Sequence, residues 1–508
     1  MPIVLVANLF AISQVVPHCR HILNAIVVQS TMFLIIFLSA VVSKMLFSWL
    51  CLGICIVSTV MVCWKPTVFG KYMIRSQHYL QIAWLYIFIA LFFYGNPEKN
   101  LGHQIAIALW VSVDNNISSI ISNLFVDYGA DFWKKTILGD VIPISDRVSP
   151  ALGLILPLRV WSGSDNLAMV AGIALQTLWV FPVAHLLRRA GGDWILRLMV
   201  VGSVPIIIFY SLYTWWKIYA AAIFLIALIF LIERKRIHVL AYLAALITHA
   251  SHVFAVLALV QWKYLKSRPI FHWIGLCMLV ALVLFYIVLP PSGQLVRWHI
   301  FGEPDALEIP IRTLIEQKIF TEDFAIRKIS NFWISIFPVE IVSIEIGAKS
   351  GHSGLFLRYI QQYSFLFSFA YLMVFISRRA SVPIKLEYLW FVITTFLITN
   401  ILEYGGPKSE AILHHRPSVE LLLLLVILVL YMRKVGLLLA IGANIINWIF
   451  VWRPLQNYDG SSASLQYGYL LPYIVVAGLW AVVLTSYSQN SLIIHAVNSW
   501  RRVRENKG

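Results

Sequence analysis

The sequence predicts an all-α, polytopic integral membrane protein of about 12–14 transmembrane helices, on three observations. Of 508 residues, 60% are hydrophobic and only 12% charged, with a mean hydropathy of +0.81, whereas a soluble globular chain carries roughly 25% charged residues. The apolar runs are continuous over lengths near the roughly 20 residues that a bilayer crossing needs, which excludes the alternating pattern of a barrel. Basic residues gather in clusters that fit one side of a membrane, at Arg188/Arg189, Arg234/Lys235/Arg236, Lys263/Lys266/Arg268, Arg378/Arg379, Arg433/Lys434 and Arg501/Arg502/Arg504. That side is read as the cytoplasm.

Taken in order, the expected spans are 22–42, 46–63, 79–95, 166–187, 194–210, 215–232, 237–261, 270–289, 355–377, 386–402, 419–432, 435–451 and 469–487. Basic clusters flank 237–261 on both sides, so this segment enters and returns as two half-helices with "THASH" (Thr248–His252) at the bend, a device found where backbone lines a protein cavity. Residues 104–124 carry Asp114, Asn115, Asn116 and Asn123 and read as a helix lying at the outer interface. No repeat of fixed period and no low-complexity tract appears. The chain is therefore one transmembrane domain, 1–508, with a first large extracytoplasmic loop and juxtamembrane helices at 96–165 and a second loop at 290–354. The second loop holds eight acids against six Lys and Arg.

The net charge of +16 reads as topology, not as nucleic-acid binding. Cys19, Cys51, Cys55, Cys63 and Cys277 lack metal-ligand spacing and form no disulfide framework. The start, "MPIVLVANLF", has neither a basic n-region nor a small-residue cleavage site, so a removable signal peptide is not expected.

Ionisable groups at a membrane edge are costly, which makes them candidates for function. The stretch 122–157 holds Asp127, Asp131, Asp140 and Asp146 between Lys134, Lys135 and Arg147. If helical, Asp127 and Asp131 share one face; a plain surface helix explains this about as well as a general base acting on a hydroxyl. Arg147 stands in a Pro-limited turn, where it either serves a site or pairs with Asp146. Lys217 follows Trp215 and Trp216 at the start of an apolar run, so a snorkelling interfacial Lys competes with a phosphate-holding cation. His249 and His252 are three apart at the polar bend; without a Glu between them or a third ligand, phosphate or sugar contact is favoured over zinc. His414, His415 and Arg416 precede a leucine-rich span on the face where basic residues are scarce, and Pro417 suits its first turn.

With the stretches "DYGADFWKKTILGD", "SDRVSPALGLIL", "ALQTLW", "YTWWKIYAAAIFLIAL", "THASHVFAVLAL" and "ILHHRPSVELLLLL", the chain resembles the GT-C class of membrane glycosyltransferases, within it a bacterial set of poorly characterised transferases. The resemblance runs from 127 to 425 and is clearest over 127–260. Val148-Ser149-Pro150 stands where a proline pair after Asp-Arg is usual, Trp215-Trp216-Lys217 where Trp-Pro-Lys is usual, and the glycines after the central His are absent. The resemblance implies an inverting glycosyltransferase of the bacterial inner membrane. It would move a sugar from a polyprenyl-phosphate donor to an envelope glycan or lipid-linked acceptor on the extracytoplasmic face. It casts Asp127 as base with Asp131 in reserve, and Arg147, Lys217, His249, His252 and Arg416 as partners of the leaving phosphate. His414 and His415 join them as substrate-binding candidates. No cofactor or nucleic-acid partner is expected, a divalent metal is left open, and membrane lipid surrounds the chain. Two other readings compete: an O-antigen-type polysaccharide polymerase or ligase, and a lipid or sugar transporter.

Overall fold

The computed structural model describes residues 1–94, 117–137, 142–143, 149–163, 165–212, 216–249 and 419–432, with isolated positions at 313 and between 434 and 444. Of these, 90% are helical. Among the described residues three helical stretches, Ile22–Val42, Lys44–Trp64 and Leu167–Arg189, are long and apolar enough to cross a membrane.

The chain opens with a helix that no predicted span covers. Helix α1 (Pro2–Val15) has proline at its first turn, where the missing N–H would have had no helical partner. α2 (Ile22–Val42) and α3 (Lys44–Trp64) follow, matching the runs predicted at 22–42 and 46–63. Ser43 makes the turn between them in extended backbone, and its Oγ accepts from the N–H groups of Met45 and Leu46, a standard cap. A polar clamp holds the three helices together. Gln29 of α2 donates to Asn8 Oδ1 at 2.8 Å and to the Leu5 carbonyl at 3.2 Å, while Asn8 donates to Ser58 Oγ of α3 at 3.2 Å. Between apolar helices such bonds give association a direction that dispersion alone lacks. α4 (Pro66–Arg75) packs Phe69 and Tyr72 on Phe10, and α5 (Gln77–Tyr94) runs back along the bundle.

α6 (Ile117–Tyr128) leads into a 3₁₀ turn, Gly129–Lys134, and a two-rung antiparallel pairing of β1 (Thr136–Ile137) with β2 (Ile142–Pro143). Phe125 stacks edge-on between Phe47 at 5.0 Å and Phe132 at 5.2 Å, and Phe132 meets Phe37 at 6.0 Å. Phe37 and Phe47 flank the α2–α3 turn, so these rings fix α6 to that end. The part of 104–124 that is described is thus packed on the bundle; the rest of that segment lies outside the described residues.

α7 (Pro150–Ser162) falls in the predicted 96–165 loop, yet it lies along α2 with Ala151, Leu152, Ile155 and Leu156 buried. α8 (Asp165–Gln176), a 3₁₀ turn Thr177–Trp179 and α9 (Val180–Ala190) make the third span-length stretch. α10 (Trp194–Ser203) and α11 (Pro205–Leu212) are broken by Pro205, which cannot donate to the preceding turn. α12 (Lys217–Ile232) and α13 (His238–Thr248) form a hairpin, and α14 (Val419–Tyr431) packs on α9, α10 and α12.

One end of the bundle collects cations. Glu233, just past α12, takes Arg189 at 2.6 Å, Lys235 at 2.6 Å and His185 at 3.1 Å, and the His185 ring meets His21, before α2, at 5.3 Å. Lys65, past α3, reaches Gln14 near the end of α1 at 3.1 Å. The basic clusters at 188–189 and 234–236 therefore share one end, and the α2–α3 turn marks the other.

Candidate functional site

The interior site is built where short helices stop inside the bundle. In the α12–α13 hairpin, Phe224 and Tyr242 pair at 5.4 Å between ring centroids. Lys217 opens α12 and His249 follows the last residue of α13, so both stand at the ends of the hairpin away from Glu233. The 16 residues of α12 place Lys217 about 24 Å from the Glu233 end.

α7 brings a third terminus. Its Arg159 donates to Asn123 of α6 at 3.2 Å, which holds its C-terminal half toward the α2–α3 turn. α7 also packs on α13. Gly153 makes the depth possible: a Cβ there would sit 1.8 Å from the Phe33 carbonyl oxygen in mid-α2. Ser149, fully buried, caps α7 by accepting from the Ala151 N–H at 3.2 Å, and Pro150 occupies the first turn. The α7 N-terminus thus ends inside the protein.

At the start of α12, Trp216 supplies no side-chain cap. The Tyr219 N–H is instead satisfied from another span, by Gln176 Oε1 at 2.8 Å. The Tyr219 hydroxyl donates to Ser30 Oγ at 2.7 Å, which itself donates to the Ile26 carbonyl at 2.8 Å. Trp179 Nε1 donates to Ser211 Oγ at 3.3 Å. These bonds form a polar belt around the start of α12. Lys217 is only 2% exposed, and its ammonium lies 5.5 Å from the Tyr210 ring centroid, within cation–π range. A cation at a helix N-terminus adds to the positive end of the dipole. Such an arrangement favours an anion beside it.

The predicted residues divide between two places. Lys217 is buried in the bundle and does not snorkel, and His249 caps α13 in extended backbone (φ −157°, ψ 119°), 7% exposed, its N–H on the Ala245 carbonyl. The half-helix expected before "THASH" is therefore present; the returning half lies outside the described residues. Asp127 and Asp131 are at the opposite-end surface, both exposed. They do not share a helix face: α6 stops at Tyr128 because Gly129 turns left-handed (φ +57°), and Asp131 belongs to the 3₁₀ turn. Asp131 pairs with Lys134 at 2.7 Å, whose hydrogen bond and charge hold its carboxyl below the usual range. Arg147, His252, His414, His415 and Arg416, with Asp140 and Asp146, lie outside the described residues. Among the described residues no three His, Cys, Asp or Glu side chains gather as a metal-holding group.

Ser30, Ser149, Gln176, Tyr210 and Tyr219 were not singled out by sequence. Gln176 carried a signal: an amide in the middle of an apolar run needs a partner. No protein-family model, no curated protein and no solved structure matches the chain.

Proposed function

We propose that the chain is a polytopic, GT-C-like inverting glycosyltransferase of a bacterial inner membrane that uses a polyprenyl-phosphate sugar donor. The basic end faces the cytoplasm by the positive-inside rule, which puts the far end and the interior site on the extracytoplasmic side. The observation that carries this reading is that Lys217 and His249 are both buried at the ends of the packed α12–α13 hairpin away from Glu233, with the buried N-terminus of α7 in the same apolar bundle. A lipid-linked phosphate reaches such a depth along its own tail, and fixed cations and helix dipoles stabilise the charge that grows on it as the sugar leaves.

In the reaction the acceptor hydroxyl oxygen attacks the anomeric carbon and forms the new glycosidic bond from the face opposite the leaving group. The bond from that carbon to the phosphate oxygen breaks, its electron pair leaves with the polyprenyl phosphate, and the hydroxyl proton passes to a carboxylate. Asp127 is the base that the resemblance assigns; it stands exposed at the far-end surface, apart from buried Lys217 and His249, so the acceptor hydroxyl is taken to approach from that side. Asp131 is the weaker candidate because Lys134 already engages it and lowers its basicity. The phosphate contacts are assigned to Lys217 and His249, joined by Arg147, His252, His414, His415 and Arg416 from the sequence pattern. No step is assigned to a metal.

The test is sugar release from a synthetic polyprenyl-phosphate sugar by the full chain in lipid vesicles. Asp127→Asn should lower turnover by about 10²–10⁴ with donor binding kept. Lys217→Gln should weaken donor binding while leaving α12 folded. Normal turnover by a variant lacking both Asp127 and Asp131 would remove these carboxylates from the chemistry, and unchanged donor binding in Lys217→Gln would sink the phosphate site.

A further inference from the structure

We infer that α4 and the residues flanking it form a binding surface for anionic phospholipid headgroups at the basic end of the bundle. The first 97 residues contain no Asp or Glu; the first acid is Glu98. Their cations fall unevenly: Lys65, Lys71 and Arg75 lie within or beside α4 and Arg20 just before α2, while Lys44 stands alone at the α2–α3 turn.

The local structure turns that charge outward. Phe69, Tyr72 and Met73 pack inward, with the Phe69 and Tyr72 rings 5.3 and 5.6 Å from Phe10. At 100° per residue the opposite face carries Thr67, Lys71 and Ile74, with Val68 and Arg75 beside them. Lys71 and Arg75 are exposed, and neither makes an ion pair among the described residues. Around them large apolar side chains are bare: Trp64 is 69% exposed, Ile74 63% and Val68 44%. Lys65 lies over the Trp64 ring at 5.4 Å.

A purely aqueous surface would leave this Trp, Ile and Val in water, and a purely apolar one would strand three cations. A lipid headgroup layer suits both, because acyl chains take the apolar groups and phosphates take the cations. The contrast with Glu233 is instructive. There the cations are already met by a carboxylate from the same chain, whereas Lys71 and Arg75 meet none among the described residues and are left to an external anion. The surface is independent of the glycosyl-transfer site, which lies about 24 Å of helix away along α12 from the basic end.

The full chain in phosphatidylcholine nanodiscs, with and without phosphatidylglycerol, tests this by counting retained lipids with native mass spectrometry. Wild type should retain phosphatidylglycerol in preference to phosphatidylcholine. The double variant Lys71→Gln/Arg75→Gln should reduce that preference by about 30-fold, at about fivefold per cation. Lys71→Arg/Arg75→Lys should preserve the preference, and Lys134→Gln/Lys135→Gln, at the other end, should not change it. An undiminished preference in the double Gln variant, or equal loss in the Lys134/Lys135 variant, would overturn the assignment.

Discussion

Two of the span-length segments make opposite use of similar composition. Lys44–Trp64 is the more apolar, yet 11% of its most apolar window is buried, against 83% for Leu167–Arg189. Hydropathy therefore identifies what can cross a bilayer but not what faces lipid. The buried segment tolerates Gln176, Thr177 and Trp179 because each polar group has a protein partner: Tyr219, the Ile173 carbonyl and Ser211. The exposed one satisfies Ser48 and Thr59 within its own helix, and its Ser58 accepts from Asn8 in the clamp to α1. Polarity in the first surrounds the buried start of α12; in the second it is returned to its own helix or ties α3 to its neighbour.

The sharpest way to break this comparison uses one glycine from each environment. Gly153 of α7 meets the Phe33 backbone, while a Cβ on Gly53 of α3 meets nothing within 4 Å. Gly153→Leu should cost more than about 3 kcal/mol, the upper part of the usual overpacking range, because backbone and not a flexible side chain blocks it. Gly53→Leu should be neutral or slightly stabilising, since glycine in a helix interior costs roughly 0.5–1 kcal/mol relative to alanine. Thermal unfolding midpoints of the two in detergent check this. Equal midpoints would mean that α7 is not seated on α2.

That seat was also the least legible part of the fold. The run 22–42 was recovered to the residue because length and apolarity determine it. α7 falls within the loop with juxtamembrane helices expected at 96–165: 13 residues cannot span a bilayer alone, and its depth depends on a contact with Phe33, 120 positions away (153 − 33). α1 was missed for the same reason of length. The Asp127/Asp131 helix face failed on a local conformation, Gly129 in the left-handed region, which the Tyr-Gly-Ala sequence permits but does not impose. Lys217 was legible as a candidate cation; its burial was not, because only the α12–α13 hairpin and the α8–α9 span around it decide whether a tryptophan-flanked lysine points to water.

Gln176 offers a finer test. Replacing it with Leu keeps the bulk of the span but leaves the Tyr219 N–H without its acceptor. An unsatisfied buried donor costs about 1–3 kcal/mol. Ser48→Ala on α3, where the hydroxyl only returns to the Lys44 carbonyl of its own helix, should change stability by less than about 0.5 kcal/mol. The pair of midpoints separates polarity that joins spans from polarity that does not. If the two losses were alike, the belt around α12 would not be a structural element of the site.

The smallest effect concerns the end where the buried span terminates. Burial raises the Glu233 carboxyl, but hydrogen bonds from Lys235 and His185, and the charges of Lys235 and Arg189, outweigh it and hold the group below its ordinary range. A carboxyl depressed by folding adds stability that is fully present above its unfolded value, roughly 4.3, and is lost as pH falls through the lower folded value. Arg189 and Lys235 are 56% and 36% exposed, so solvent screens the pairs and the contribution at neutral pH is about 1 kcal/mol. Glu233→Gln should therefore lower the unfolding midpoint slightly at pH 7, and the gap to wild type should close below pH 4. High salt should narrow the same gap at pH 7, because screening acts on exposed pairs. Lys44→Gln, at the opposite end, should show neither dependence. A wild-type midpoint that stayed level from pH 5 to pH 3 while Glu233→Gln remained lower throughout would mean that Glu233 stabilises by packing and not by charge, and the basic end would then be held together without its carboxylate.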